Sequence, residues 1–208
     1  MIATQTIDRT ELSVLSLHLR SLSYDDKQIL GRINLSVPKG ETLALVGPSG
    51  IGKSSLLRVI AGLEKQFDGS CNVNGKVAMV FQEPTLLPWR TTRDNIIVTT
   101  GVNHEAAEKA LTEVGLQGRG DDYPLKLSLG QQRRLSLARA FAVRPALLLM
   151  DEPFVSLDPS LVTEMMDLFC QLRDSYHVAT ILVTHIAQEA HALADRVVTL
   201  AGSPATIA

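Results

Sequence analysis

The residues Gly47-Pro48-Ser49-Gly50-Ile51-Gly52-Lys53-Ser54 join glycines, a lysine and a hydroxyl at the spacing Gly-x4-Gly-Lys-Ser. That combination suits a polyphosphate. Glycines let the backbone curl closely around an anion with successive N–H groups turned inward. A helix starting at Lys53 aims its positive end and unpaired N–H groups at the same anion. Lys53 adds a point charge for the β and γ phosphates, and Ser54 offers an oxygen to Mg²⁺; Ser55 follows directly and is counted with the cradle. The alternative, a glycine-rich turn before a helix, is disfavoured by the context of strand before and helix after.

A second set of acids complements the cradle. Leu147-Leu148-Leu149-Met150-Asp151-Glu152 reads as a buried strand ending in two carboxylates. Such an ending puts both acids at the carboxyl edge of a sheet, where ligands of open α/β sheets sit. Asp151 is suited to hold Mg²⁺, directly or through water, and Glu152 to polarise an attacking water as general base. An apolar run ending in Asp-Glu is weak alone and gains its meaning from the cradle.

Several strands and helices must position these groups. Leu15, Leu17 and Leu19 alternate with polar neighbours, as do Ile33, Leu35 and Val37 before Pro38. Thr42–Val46 is a strand opening into the glycine turn, and Leu56, Leu57, Ile60 and Leu63 mark a helix after it. Val77–Phe81, Leu147–Met150, Val178–Val183 and Val197–Leu200 predict further strands, separated late in the chain by helices near Pro159–Ser175 and Ile186–Ala194. From about Thr91 to Val143 the pattern is helical, with helices over Val102–Gly115 and Gly130–Val143. Alternating strands and helices predict an α/β protein with a mostly parallel sheet covered on both faces. The expected organisation is a single domain over 1–208, its core at about 12–90 and 144–208, with a helical subdomain inserted at about 91–143. The antiparallel-looking strands at the start have no evident place in a parallel sheet.

Composition narrows the class. At 208 residues, with 45% apolar and 20% charged residues, the chain is that of an ordinary globular protein able to bury a sizeable core. A formal charge of −2 and no basic stripe argue against a nucleic-acid partner. No apolar run is long enough to cross a bilayer, and the N-terminus lacks the order of a secretory signal. Cys71 and Cys170 form no metal-type or redox-type pair, so a reducing compartment and a packing role are expected for both.

Further residues fall in the order of the ABC ATPase motifs. Leu127-Ser128-Leu129-Gly130-Gln131-Gln132-Arg133-Arg134 resembles the family's signature sequence, and Gln82 its Q-loop. Ser156-Leu157-Asp158 resembles the D-loop and His185, after Thr180–Thr184, the switch histidine; Tyr24 stands where the family carries an aromatic that stacks on adenine. The resemblance runs from about Leu15 to Leu200. It implies a RecA-like P-loop NTPase fold and a head-to-tail dimer holding two ATP molecules, each between one subunit's cradle and the other's signature segment. Ser128, Gly130 and Gln131 would face the γ-phosphate across the interface, His185 would contact the same phosphate, Gln82 would sense Mg²⁺ and water, and Asp158 would link the two sites. One residue departs from the pattern: Leu129 occupies a position usually held by glycine, and would weaken phosphate contact if that position needs a positive φ.

The same resemblance implies partners. Phe81-Gln82-Glu83-Pro84-Thr85-Leu86-Leu87-Pro88-Trp89-Arg90, leading to Asp94-Asn95-Ile96, looks like importer ATPases of the nitrate, sulfonate and taurine type. Leu86, Leu87 and Trp89 would then form an apolar dock for a transmembrane permease, or Trp89 would simply cover the hinge of the helical subdomain. The permease would in turn work with a periplasmic or extracellular solute-binding protein, placing the chain on the cytoplasmic face of the cell membrane. A homodimer is the simplest assembly, with a heterodimer open. An ATPase of lipid or lipoprotein extraction, or of cell division, is the alternative task. A GTPase is disfavoured by the missing Asn-Lys-x-Asp motif, and a silent nucleotide-binding module by the presence of Glu152 and His185. The short stretch after Val197–Leu200 leaves no expectation of a regulatory C-terminal domain.

Overall fold

The computed structural model describes residues 13–208. Its strands are β1 (Ser13–Tyr24), β2 (Lys27–Leu30), β3 (Ile33–Pro38), β4 (Thr42–Val46), β5 (Asp68–Val73), β6 (Val77–Val80), β7 (Leu147–Asp151), β8 (Ala179–Val183), β9 (Arg196–Gly202) and β10 (Ala205–Ile207). The helices are α1 (Lys53–Ile60), α2 (Thr92–Thr100), α3 (His104–Glu113), α4 (Leu129–Ala142), α5 (Pro159–Tyr176) and α6 (Ala187–Leu193), with a 3₁₀ turn at Pro124–Lys126.

The sheet runs β3-β1-β2-β10-β9-β4-β8-β7-β6, with β5 also paired to β1. Strands β9, β4, β8, β7 and β6 are mutually parallel. Strand β1 is antiparallel to β2, β3 and β5, so the opening strands form an antiparallel wing on the parallel block. The expected α/β class is the observed one. Three strands were not expected: β2, β5 and β10 are short, and β5 (Asp-Gly-Ser-Cys-Asn-Val) is polar, carrying no buried alternation to announce it.

Alternation along the central strands explains how the sheet is covered. Leu147 and Leu149 of β7 join a core with β1, β3, β4 and α1, whereas Leu148 and Met150 join a core with α2 to α5. Successive side chains of a strand point to opposite faces, so an unbroken run of apolar residues is what a strand buried on both sides requires. Helices α2, α3 and α4 lie in sequence between β6 and β7, which are neighbours in the sheet.

Helix starts follow from local chemistry. Asn103 caps α3 by accepting the Ala106 N–H at 2.9 Å, so that helix begins at His104, slightly inside the expected Val102–Gly115 span. Ser128 caps α4 through a capping box in which its hydroxyl accepts the Gln131 N–H and the Gln131 side chain accepts the Ser128 N–H. Leu129 is therefore the first residue of α4 and is absent from the positive-φ residues. The concern that leucine there forces an unusual backbone angle is corrected: the position is helical, and any L residue adopts it without strain.

Candidate nucleotide site

Strand β4 delivers the chain at Gly47 into a loop that turns back as α1. Gly47, Gly50 and Gly52 have φ of 151, 75 and 113°, angles at which side-chain-bearing residues are strained. Space forbids a side chain as well: a Cβ on Gly47 would lie 2.6 Å from the Leu200 carbonyl oxygen, and one on Gly52 2.6 Å from Leu30 Cδ2. Beside Gly50 nothing lies within 4 Å, so its backbone faces open space. The loop's rear is packed and its front is clear, as a cradle for a phosphate chain must be.

Lys53 is buried, and its ammonium donates to the carbonyls of Gly47 at 2.9 Å and Pro48 at 3.0 Å. Those bonds hold the charge at the centre of the loop. Ser54 Oγ donates to Asp151 Oδ1 at 3.1 Å, which joins the start of α1 to the carboxyl end of β7. Burial raises the Asp151 carboxyl above its ordinary value; the hydrogen bond from Ser54 opposes that rise, the Glu152 charge adds to it, and Lys53 and Arg58 pull it back. These hard oxygens, on a serine and a partly buried carboxylate, fit the donor set that Mg²⁺ takes.

Glu152 has a left-handed backbone, φ 48°, uncommon for a residue with a side chain. Its N–H donates to the Val183 carbonyl at 3.0 Å, fixing the turn against β8. Its carboxylate Oε2 lies 3.3 Å from His185 Nδ1, an ion-pair distance when the imidazole is protonated. Under this pair sits a residue with no sequence cue. Glu189 of α6 is buried and accepts a hydrogen bond from Thr184 Oγ1, while Thr184 Oγ1 accepts the Ile186 N–H at 3.0 Å. Burial raises the Glu189 carboxyl, against the pull of the Thr184 hydroxyl and His185.

These residues converge on one cleft of about 380 Å³, lined by Tyr24, Ser49, Gly50, Gly52, Lys53, Ser54, Ser55, Gln82, Asp151 and Glu152. Ile29 lines it too; its place in the short strand β2 hid it from sequence reading. Tyr24 ends β1 and is 36% exposed, at the rim. Ser128, Gly130, Gln131 and Asp158 are brought together elsewhere, in an open depression of about 630 Å³ that also contains Leu129 and Leu161. The two hollows share no residue. Asp158 caps α5, accepting from the Leu161 N–H at 3.0 Å and from Ser160 Oγ at 2.6 Å, and these hydrogen bonds hold its carboxyl below the ordinary value. A Cβ on Gly130 would lie 2.9 Å from Leu161 Cδ1, so α4 and α5 approach closely there. His185 lines neither hollow and reaches the first through Glu152.

Trp89 is 69% exposed, which removes the reading of it as a cover over the helical hinge. Leu86 and Leu87 are half-buried, Leu86 packing on the core and Leu87 held by the Asn95 side chain, which accepts from its N–H at 2.7 Å. Cys71 and Cys170 are free and partly buried, and burial pushes both thiols up. Among the described residues no helix is long and apolar enough to cross a membrane.

A glycine cradle between a parallel strand and a helix, facing a serine–aspartate oxygen pair, defines a P-loop nucleoside triphosphatase. Residues 30–155 match the ABC transporter family. The chain is 40% identical over 198 residues to the aliphatic sulfonates import ATP-binding protein SsuB 1 of Pseudomonas savastanoi pv. phaseolicola, covering 94% of this chain and 84% of that one. It is 46% identical over 187 residues to the aliphatic sulfonates import ATP-binding protein SsuB of Corynebacterium glutamicum, covering 86% and 76%. Among solved structures, an ATP-binding cassette in a dimeric post-hydrolysis state bound to ADP and Pi superposes with a TM-score of 0.79 at 24% identity, over 93% of this chain and 96% of that one. The chain belongs to the ABC transporter family, as an ATP-binding subunit that hydrolyses ATP.

Proposed function

We propose that this chain powers the import of small organic sulfonates or similar anions, as one half of a head-to-tail dimer that closes on ATP and drives a transmembrane permease. The observation that carries the reading is the separation of the two hollows. One protomer has a complete cradle with Lys53, Ser54, Asp151 and Glu152, while Ser128 and the N-terminus of α4 sit in a hollow sharing none of those residues. A helix N-terminus is an anion site without a cradle of its own. A second copy turned head to tail supplies each cradle with the missing half, in line with the dimeric ATP-binding cassette of the same fold.

In that assembly Gly47 to Ser55 wrap the phosphates, and the Lys53 ammonium exchanges its two loop carbonyls for phosphate oxygens. Ser54, Asp151 and Gln82 hold Mg²⁺, which when bound neutralises developing charge on the phosphates. Tyr24 stacks on the base from the rim. Glu152 accepts the proton of the attacking water, and His185 orients its carboxylate and contacts the γ-phosphate. Ser128, Gly130 and Gln131 meet that phosphate from the partner side, and Asp158 lies between the two sites. The segment at about 91–143 acts as a helical subdomain within a single domain. Leu86, Leu87 and Trp89 form the permease dock at the cytoplasmic face of the membrane, and a solute-binding protein delivers cargo to the permease from the far side.

The sulfonate assignment follows the names of the relatives. The test is deletion of the gene in its source cell, followed by uptake of a labelled alkanesulfonate, taurine and nitrate. Loss of alkanesulfonate uptake, restored by the parent chain and not by Glu152→Gln, is the expected result. Normal uptake of all three solutes with failed lipoprotein release would replace import with the extraction task.

A further inference from the structure

Helix α4 carries a cation that the nucleotide site does not use. Arg133 is 5% exposed, and its Nε and Nη1 are buried with no hydrogen-bond partner, as is Ser136 Oγ one turn later. A buried guanidinium with unmet donors is costly, and native proteins keep one where another state of the molecule, a water or a ligand satisfies it. Burial pulls the Arg133 group down, and the one charge opposing that pull is Glu83. Glu83 is exposed and makes no ion pair among the described residues. It directly follows Gln82, which lines the nucleotide cleft.

The backbone around Glu83 is tethered at two points. Upstream, β6 ends at Val80, locked by its parallel pairing with β7. Downstream, Arg139 of the same helix α4 donates to the Pro84 carbonyl at 3.0 Å, to the Thr85 carbonyl at 2.8 Å and to Thr85 Oγ1 at 2.9 Å. Thr85 sits at φ 46°, a left-handed angle held in place by those bonds. Between the tethers lie Phe81, Gln82 and Glu83 alone.

We propose that Arg133 is the internal receptor for the Glu83 carboxylate, an ion pair that closes as the span Phe81–Glu83 draws in around bound nucleotide and that positions Gln82 in the cleft. It rests on the reading of Gln82 as part of the nucleotide site. Because Gln82 and Glu83 are adjacent and both ends of the span are fixed, drawing Glu83 toward α4 resets Gln82 with it. The pair and the nucleotide then favour the same state, and loss of either weakens the other. Arg133 and Glu83 are thus positioning residues. They also tie the helix that begins at Ser128 to the segment that runs on to Trp89.

A double-mutant cycle tests this with the full chain: Glu83→Gln, Arg133→Met and the double variant, read by kcat/KM for MgATP and by the thermal midpoint without nucleotide. Each single change is expected to lower kcat/KM about tenfold, and the double to be no worse than either single. Arg133→Met is expected to raise the nucleotide-free midpoint, since an apolar chain of similar length replaces an unpaired buried charge. A packing role for Arg133 would lower the midpoint instead. Glu83 is exposed, so Glu83→Gln folds even where Arg133→Met does not, and parental kcat/KM in that variant alone overturns the proposal. Additive effects in the cycle, as expected if water satisfies Arg133, overturn it too. Hydrolysis abolished by Glu152→Gln together with an additive cycle would remove this inference and leave the functional reading standing. A non-additive cycle with full hydrolysis in Glu152→Gln would keep this inference and remove Glu152 as the general base.

Discussion

Ser54 Oγ and Asp151 Oδ1 meet at 3.1 Å although 97 positions separate them, so one hydrogen bond joins the first turn of α1 to the end of β7. That bond brings together two oxygens suited to a magnesium–phosphate complex, and it stands against the burial that raises the Asp151 carboxyl.

The sign of that shift gives a pH prediction. A carboxyl whose native pKa is raised binds more protons in the native than in the unfolded chain between the two values. Stability therefore falls as pH rises through that interval, and the loss is constant above it. Asp151→Asn removes the loss and keeps an oxygen for Ser54. The nucleotide-free variant is expected to be more stable than the parent at pH 7, with the gap narrowing as pH falls toward the ordinary value of 3.8. Thermal melts across pH check this, and a gap that widens in acid would contradict it.

Ser128 serves α4 as its cap, and its two roles separate by substitution. Ser128→Ala loses the cap and about 1 kcal/mol of stability. Ser128→Asp keeps the cap and the stability, but sets a negative charge where the partner's γ-phosphate is proposed to sit. Its hydrolysis rate is expected to fall about a hundredfold, the scale of losing one charge-stabilising donor. Denaturation midpoints and steady-state rates measured side by side distinguish the roles.

Leu129 is helical and 47% exposed. Leu129→Gly relieves no strain and adds backbone freedom to the unfolded chain, costing up to about 1 kcal/mol. Hydrolysis is expected to stay within about twofold of the parent, since the backbone N–H is unchanged. A rise of tenfold or more in the glycine variant would mean that leucine obstructs the phosphate.

Trp89 contributes little to the isolated fold at 69% exposure. Trp89→Ala should leave stability within about 0.5 kcal/mol. If Trp89 anchors the permease, the same change should weaken its capture from detergent-solubilised membranes by about 2 kcal/mol, the scale of an interfacial hot spot. Unchanged capture would move the dock away from this residue.

The cradle and its acids were legible because each sits where an apolar run stops: Val46 runs into Gly47, and Met150 into Asp151. Strand period and chemical motif agreed there. The wing was less legible. β10 is three residues long, and β5 pairs with β1 through a polar, mostly exposed segment, so neither carries a burial pattern. The capping box is written in the sequence as Ser128-x-x-Gln131, but the same two side chains also fit a phosphate-facing pattern, so the spacing alone does not separate the two uses. Glu189 had no signal, since a glutamate in Ala-Gln-Glu-Ala-His-Ala-Leu looks solvent-facing until α6 is laid against Thr184. Arg133 was equally silent, because the burial of a charge is decided by tertiary packing and leaves no mark on the local pattern.

In the proposed assembly ATP joins two copies of this chain through hollows that are incomplete alone. The direct measurement is the solution mass of Glu152→Gln by light scattering, with ATP and Mg²⁺ and with ADP and Mg²⁺. A dimer is expected with ATP and a monomer with ADP, with no turnover in either case. A monomer with saturating ATP, or hydrolysis at the parental rate, would contradict that expectation.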